Sequence, residues 1–407
     1  MANFTFEMNT IKSLQQTKIA IVHDWLTLTS GSEEVLRQII ELYPEAVLYT
    51  LVDAMSPGDR DAITRRDPVT SFIQHLPMGK SRYRWFLPLM PLAIEQFDLS
   101  AYDVVISSSH SVAKGVITGP DQLHVSYIHT PIRYAWDLSY AYLRESGLER
   151  GLRSILVRGL LHYIRLWDVR TTNGVDVIVA NSHFVARRIW KYYRRTCTVI
   201  NPPVDIEFFT LTEAKAGYYL CVSRMVPYKR VDLVVKAFSQ MPDKRLVVAG
   251  GGPDLQKMQA LATSNVKVLG YQTKEALRDL MQNAKALVYP AVEDFGLVPV
   301  EAQACGTPVI AYGKGGVCET VSGLDEPSPT GLFFEQQTDL AIREAVELFE
   351  KEYIRFHAVN CRQNVEKFSV ERFQRQFSGL VEKEWLAFNQ RLNQPEDLSG
   401  MSFTGGI

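Results

Sequence analysis

Glu293-Asp294-Phe295-Gly296-Leu297-Val298-Pro299-Val300-Glu301, continued by AQACGTPVIA over Ala302 to Ala311, is the stretch on which the reading of this chain turns. Just before it, Ala286 to Tyr289 is an unbroken apolar run that reads as a buried strand, and Pro290 stops it. Asp294 to Gly296 then forms the loop, and Leu297 to Ala304 the start of a helix. A helix beginning there leaves the amides around Gly296, Leu297 and Val298 without intrahelical partners, with the positive end of the helix dipole behind them. That is a place for a phosphate. Glu293 precedes the turn and Glu301 lies about two turns into the helix, too far apart to share one proton and placed to accept from different hydroxyls of one ligand. Two sugars on a diphosphate fit this layout.

The rest of the chain has the size to build such a site between two bodies. At 407 residues it exceeds what one hydrophobic core usually serves, so two domains of roughly 200 residues are expected. A hydrophobic content of 46% lets both bury real cores, and a formal net charge of -1 argues against a general nucleic-acid binder. The five cysteines are scattered, with no CxxC spacing, and read as reduced thiols in a cytosol. The first seventeen residues lack the apolar core of a leader, and no apolar run of about 20 residues occurs. A cytoplasmic protein is expected, soluble or attached peripherally to the inner face of the cell membrane.

Outward from the decisive stretch, the same grammar repeats. Lys18 to Val22 reads as a strand, Ser30-Gly31-Ser32 as a loop and Glu33 to Leu42 as a helix, which is the opening of a doubly wound sheet. Val47 to Val52, Val104 to Ser107, Leu123 to Ile128 and Val175 to Ala180 are continuous apolar runs of the kind that fill parallel strands. Pro202-Pro203 breaks the series. A second series begins with Tyr218 to Val222 and continues through Arg245 to Ala249, Val266 to Leu269, Ala286 to Tyr289 and Val309 to Ala311. The fold class is therefore α/β, with two Rossmann-like doubly wound domains facing across a cleft. We expect residues 1–200 as an amino-terminal domain, 201–370 as a carboxy-terminal one, and 371–393 as a helix returning to the first. Glu335 to Lys351 reads as a closing helix and 394–407 as a flexible tail.

Four motifs in order make the pattern specific: Ser30-Gly31-Ser32-Glu33, Val222-Ser223-Arg224 with Lys229, VAGGGP over Val248 to Pro253, and the two-glutamate stretch. Together, over roughly residues 18 to 385, they resemble glycosyltransferase family four, the retaining, nucleotide-sugar-dependent enzymes of the two-domain GT-B fold. The family's first loop usually reads Gly-Gly-Ala-Glu, and here Ser30 replaces its first glycine; the hydroxyl can still reach a phosphate, on a backbone less free to take positive φ.

The resemblance implies roles for individual residues. Arg224 and Lys229 take the donor diphosphate, and two fixed cations would stabilise the charge that gathers on the leaving group without a metal or other cofactor. Ser30, Gly31, Gly252 and Phe295 to Val298 line the donor site, Glu301 holds the ribose, Glu293 lies near the donor sugar, and the base falls near Leu269 to Tyr271. His129, in YIHTPIRYAW after a strand, faces the donor sugar from the first domain, and Arg133, Tyr134 and Trp136 shape the acceptor side. From the residues alone, Glu301 is also compatible with an ordinary helix-surface carboxylate and His129 with a structural histidine. No orthodox nucleophile stands out; attack by Glu293 would give double displacement, whereas the resemblance implies front-face substitution.

Two sequence features point elsewhere and are set aside. Asp59-Arg60-Asp61 matches a metal-binding Asp-x-Asp but follows Ser56-Pro57-Gly58 and reads as a solvated loop; Gly250-Gly251-Gly252 lacks the third glycine of a dinucleotide fingerprint, since Leu255 stands there. Between Arg150 and Arg195 ten basic residues face two acids, Asp168 and Asp176, with aromatic and aliphatic residues interleaved. RYRWFLPLMP over Arg82 to Pro91 adds a second such patch. These read either as a surface for anionic lipid or as packed helices with solvated arginines. HDWLTLTSGSEEVL and HTPIRYAWDLSYAYL look most similar to bacterial mannosyltransferases of polysaccharide and O-antigen assembly. The expected reaction is hexosyl transfer, with mannose from GDP-mannose or a hexose from a UDP-sugar, to a glycan or lipid-linked glycan. A catalytically silent GT-B protein and a sugar-nucleotide epimerase on the same fold are the other readings.

Overall fold

The computed structural model of the chain describes residues 14–27, 31–64 and 66–392; Ser30 and the expected tail at 394–407 lie outside the described residues. Two parallel sheets organise it. The first comprises β1 (Ile19–His23), β2 (Val47–Thr50), β3 (Val69–Thr70), β4 (Val104–Ser109), β5 (Leu123–Ile128), β6 (Val177–Ala180) and β7 (Thr198–Val199), in the order β3-β2-β1-β4-β5-β6-β7. The second comprises β8 (Tyr218–Val222), β9 (Arg245–Ala249), β10 (Val266–Gly270), β11 (Ala284–Tyr289), β12 (Val309–Tyr312) and β13 (Gly331–Phe334), in the order β10-β9-β8-β11-β12-β13. In each sheet the order reverses beside the first strand, at β1/β4 and at β8/β11, and such switch points open a crevice at the carboxyl ends of the strands. The α/β, doubly wound GT-B class read from the sequence is the fold observed.

The apolar runs become strands because both faces of each sheet are covered: all five residues of β1 and all six of β4 and β5 are buried. Three strands escaped the sequence reading. β3 and β7 are two-residue edge strands, too short for any periodicity, and β13 is GLFF at the edge of the second sheet. The closing helix expected from Glu335 begins instead at Asp339, because the Thr338 hydroxyl accepts from the Ala341 amide at 3.1 Å and fixes the start there. Asp59-Arg60-Asp61 is not a loop but part of a short helix, Pro57–Asp61, capped by Ser56; both aspartates are exposed.

Five helices position the site: α1 (Gly31–Leu42), α2 (Leu152–Thr172), α3 (His183–Tyr193), α4 (Leu297–Ala304) and α5 (Val370–Leu392). On α5, Phe373, Phe377, Val381, Trp385 and Phe388 recur every three or four residues, forming one apolar stripe. That stripe packs into the core of the first sheet with Ile21, Leu36, Ile39 and Tyr127. The chain crosses between the sheets twice, and the two crossings meet where the Val204 amide donates to the Phe368 carbonyl at 2.9 Å.

Candidate functional site

The second domain contributes the carboxyl ends of β8, β9 and β11. Gly296, at φ +92°, turns the chain from the β11 loop into α4, a conformation that a side chain would strain, and among the described residues no side chain caps the helix. The first amides of α4 are thus left outward. Lys229, in the 3-10 turn Pro227–Lys229, forms an ion pair with Glu293, and both side chains are mostly buried, at 16% and 15% exposure. Burial draws the Lys229 ammonium below its ordinary range, and the neighbouring Arg133 and Arg224 guanidiniums push the same way. Arg224 Nη2 lies 3.2 Å from the Tyr228 hydroxyl, and Arg133, from the first domain, sits 5.8 Å over the Tyr228 ring. Gly252 follows β9 against the Met225 backbone, and Tyr271 follows β10 with 82% of its surface exposed.

Glu301 lies one turn into α4, not two as expected, because the helix starts at Leu297. Burial raises its carboxyl to about 7, Lys274 opposes the shift, and Glu34, reaching over from α1, adds to it. Because the folded value lies above the ordinary one, ionised Glu301 costs stability as pH rises from about 4.5 through 7. Glu301→Gln is therefore expected to raise the melting temperature by roughly 1–3 °C at pH 8 and to change nothing near pH 4.5. Equal shifts at both values in a pH series of melting curves would reject the assignment.

In the first domain, four histidine and aspartate side chains crowd the carboxyl edge of β1, β4 and β5. Asp24 is fully buried, and its Oδ2 accepts from the His110 and Ser111 amides at 2.6 and 2.9 Å. Its Oδ1 accepts from Val112 and Ala113 at 2.6 and 2.7 Å, so one carboxylate closes the whole β4 loop. The same carboxylate lies 3.1 Å from His110 Nδ1. The Ser108 hydroxyl joins His129 Nε2 at 2.8 Å and His23 Nδ1 at 3.1 Å, and the His110 ring stands 6.3 Å from that of His129. Burial, with His110 and His23 nearby, holds His129 well below the usual histidine range, so it is a neutral imidazole at pH 7.

The halves touch. Arg188 on α3 donates to Asp294 Oδ1 at 2.8 Å, to Thr130 Oγ1 at 2.5 Å and to Asp137 Oδ1 at 2.6 Å, while Arg133 Nη1 lies 3.6 Å from Asp294 Oδ2. At the start of α3, the His183 and Phe184 amides donate to the Glu319 carboxylate of the second domain at 2.8 and 2.7 Å, a helix cap supplied across the cleft. The glycine of the first loop is needed for the same approach: a Cβ at Gly31 would stand 2.4 Å from Leu297 Cδ1.

The structure thus gathers Gly31, His129, Arg133, Arg224, Lys229, Glu293, Gly296, Leu297 and Glu301 along one cleft, with Phe295 buried beneath the turn and Val298 in the first turn of α4. Arg133 faces Asp294 and Tyr228, whereas the Tyr134 hydroxyl turns to Ser111 at 3.0 Å and the Trp136 indole to Asp168 at 2.7 Å, so these three do not form one cluster. Sequence reasoning gave no role to Asp24, His110, Arg188 or Asp294. Asp24 and His110 directly follow β1 and β4, and the rule that sites collect at carboxyl ends would have found them. Arg188 carries no such signal, because its partners lie on two loops from different domains, Thr130 and Asp137 after β5 and Asp294 after β11.

Residues 205–368 match the family model described as glycosyl transferases group 1, and residues 29–208 match glycosyltransferase family 4. A Saccharomyces cerevisiae relative, alpha-1,3/1,6-mannosyltransferase ALG2, is 26% identical over 58% of this chain and 59% of its own length. The GDP-mannose-dependent monoacylated alpha-(1-6)-phosphatidylinositol monomannoside mannosyltransferase of Corynebacterium glutamicum is 34% identical over 40% and 49%. D-inositol 3-phosphate glycosyltransferase of Mycolicibacterium smegmatis is 32% identical over 54% and 55%, so the chain spans about half the length of the curated relatives it matches. Among solved structures, Anabaena HepE in complex with UDP superposes with a TM-score of 0.66 at 17% identity, covering 90% of this chain and all of that one. Sucrose-phosphate synthase from Thermosynechococcus elongatus gives 0.67 at 16%, covering 91% and 100%. With one family model on each side of the cleft and the GT-B architecture in both sheets, this chain belongs to glycosyltransferase family four.

Proposed function

We propose that the protein is a retaining hexosyltransferase that takes mannose from GDP-mannose and passes it to a glycan or lipid-linked glycan. The observation that carries this reading is the convergence of Lys229, Arg224 and the uncapped start of α4 beside Glu293 and Glu301, with neutral His129 opposite. Breaking the glycosidic bond leaves negative charge on the nucleoside diphosphate, and these cations and amides meet it in a partly desolvated cleft without a metal. The Lys229–Glu293 pair then exchanges: phosphate takes the ammonium, which frees the Glu293 carboxylate for the hydroxyls of the sugar. Glu301 accepts from the ribose hydroxyls, and neutral His129 can donate to or accept from a sugar hydroxyl. With the Glu293 carboxylate given over to the sugar hydroxyls, front-face substitution is the mechanism we favour: the departing phosphate takes the acceptor proton, and the protein orients both partners.

GDP-mannose is favoured by relatives whose names specify mannosyl transfer and, in one case, GDP-mannose. A UDP-sugar donor is the second reading, supported by a fold neighbour solved with UDP-glucose. A membrane-borne acceptor is supported by α2. Leu152, Ile155, Leu156 and Leu166 share one face of that helix and are exposed, at 82%, 66%, 74% and 60%, with Arg153 and Arg158 beside them. No helix among the described residues is long and apolar enough to cross a membrane, so we propose peripheral attachment to an anionic surface. A nucleotide screen by thermal shift, with and without magnesium, tests the donor. GDP and GDP-mannose at a hundred times their Kd should stabilise by about 2.7 kcal/mol without metal. A response confined to UDP-sugars replaces the donor, and silence towards every nucleotide would overturn the enzyme in favour of a catalytically silent binding protein.

A further inference from the structure

Beside the cleft lies a cavity of about 410 Å³ between α2 and the loop after β5, lined by Trp136, Asp137, Tyr140, Arg158, Arg165 and Tyr192 among others. Its walls are built rather than incidental. The Trp136 and Tyr192 rings stack at 4.6 Å and 16°. Behind them a buried network fixes the indole: Trp136 Nε1 and the Tyr193 hydroxyl donate to Asp168 Oδ2 at 2.7 and 2.8 Å, and Lys114 Nζ lies 2.7 Å from Asp168 Oδ1. Lys114 and Asp168 neutralise each other, so that network adds no net charge to the wall.

The charge along this cavity does not balance, with Arg158 exposed at its rim and Arg165 half-buried in its wall. Asp137 is already engaged by Arg188, whereas neither Arg158 nor Arg165 makes an ion pair among the described residues. Arg158 Nε donates to Ser154 Oγ at 3.2 Å and its guanidinium stands 5.9 Å from the Tyr140 ring; Arg165 Nη1 donates to the Ala135 carbonyl at 3.0 Å. Each thus has one anchored nitrogen and others left over. Arg170, further along the same helix, borders a smaller cavity and has its carboxylate, Glu95, at 2.5 Å. Arg158 and Arg165 stand seven residues apart, two turns along α2 and on one face of it, so that both guanidiniums border the same cavity. The cavity adjoins the cleft through Asp137, because Arg188 ties Asp137 to Asp294 in the turn before α4.

We propose that this cavity is an anion subsite for a diphosphate, with Arg158 and Arg165 as its two forks and Trp136 and Tyr192 as the wall against which the attached sugar or chain lies. Resting on the transferase reading above, the inference assigns this diphosphate to the acceptor, separate from the donor diphosphate held by Arg224 and Lys229. The exposed apolar face of α2 begins on the same helix, so a lipid-linked diphosphate and a soluble one are the two sources of the same chemistry.

Calorimetric titration of the full chain with inorganic pyrophosphate, after saturating the donor site with GDP or UDP, tests the subsite. The wild type should bind pyrophosphate with a Kd of about millimolar, and Arg158→Gln with Arg165→Gln should weaken this by about tenfold per guanidinium. Nucleotide affinity and melting temperature should not move. Unchanged binding in the double variant, or none in the wild type, would overturn the subsite, and inorganic phosphate binding as tightly as pyrophosphate would overturn the diphosphate assignment. Should neither nucleotide bind while pyrophosphate does, and does so through these arginines, the transferase reading falls and the anion subsite stands. Flotation with neutral phosphatidylcholine vesicles, with and without a long-chain prenyl diphosphate, separates the sources. Recruitment that requires the prenyl diphosphate and both arginines supports the lipid-linked one, and equal flotation of wild type and variant overturns it.

Discussion

Replacing Lys229 with alanine is expected to weaken nucleoside-diphosphate binding by on the order of 100- to 1000-fold, because a partly buried cation facing a phosphate is worth several kcal/mol once the cleft excludes water. The loss should be specific to the second phosphate. In calorimetry the variant's preference for GDP over GMP should collapse, while GMP affinity stays near that of the wild type. The same substitution strips Glu293 of its partner, leaving a carboxylate with 15% of its side chain exposed. That costs on the order of 1–3 kcal/mol of stability. Lys229→Met combined with Glu293→Gln separates the two effects: removing both charges restores the melting temperature but not diphosphate binding. Retained GDP affinity in Lys229→Ala would remove the diphosphate from this part of the cleft, and with it the mechanism.

Asp24→Asn carries the largest expected loss of stability. The native carboxylate accepts four amides at 2.6 to 2.9 Å and also faces His110. A carboxamide keeps one acceptor oxygen and turns a donor towards two N–H groups, so two buried amides lose their partner. At about 1–3 kcal/mol for each unsatisfied group, a loss on the order of 3 kcal/mol or more follows. It should appear in urea unfolding as a lower midpoint, together with faster hydrogen exchange confined to residues 110–113. Since His110 stands beside His129, turnover should fall beyond what the folded fraction explains, while nucleotide affinity, set in the other domain, should change little. A stability change under about 0.5 kcal/mol would mean that water replaces the carboxylate without difficulty.

Much of this architecture was legible in the chain because parallel strands buried on both faces are continuous apolar runs, and because the turn into α4 needs a glycine that sequence displays openly. The two-residue edge strands were not legible, since they carry too few side chains to show a period and owe their existence to a neighbour's hydrogen bonds. Ser30, the departure from the family's first loop, lies outside the described residues, while Gly31 beside it makes the close approach to Leu297.

By itself the sequence determined two doubly wound halves, the glycine turn into α4 and the charged residues at the strand ends, because strand burial and turn conformation depend on a few consecutive residues. Only the tertiary structure decided which charges meet. Lys229 finds Glu293 across 64 residues of chain because β8 and β11 are neighbours in one sheet, whereas Arg188 finds Asp294 across 106 and Glu319 caps α3 across 136, pairings that depend on how the two sheets are set against each other. The imbalance of Arg158 and Arg165 belongs to the same level: in sequence they are two of ten basic residues, and only packing shows that these two line one cavity without a carboxylate partner among the described residues.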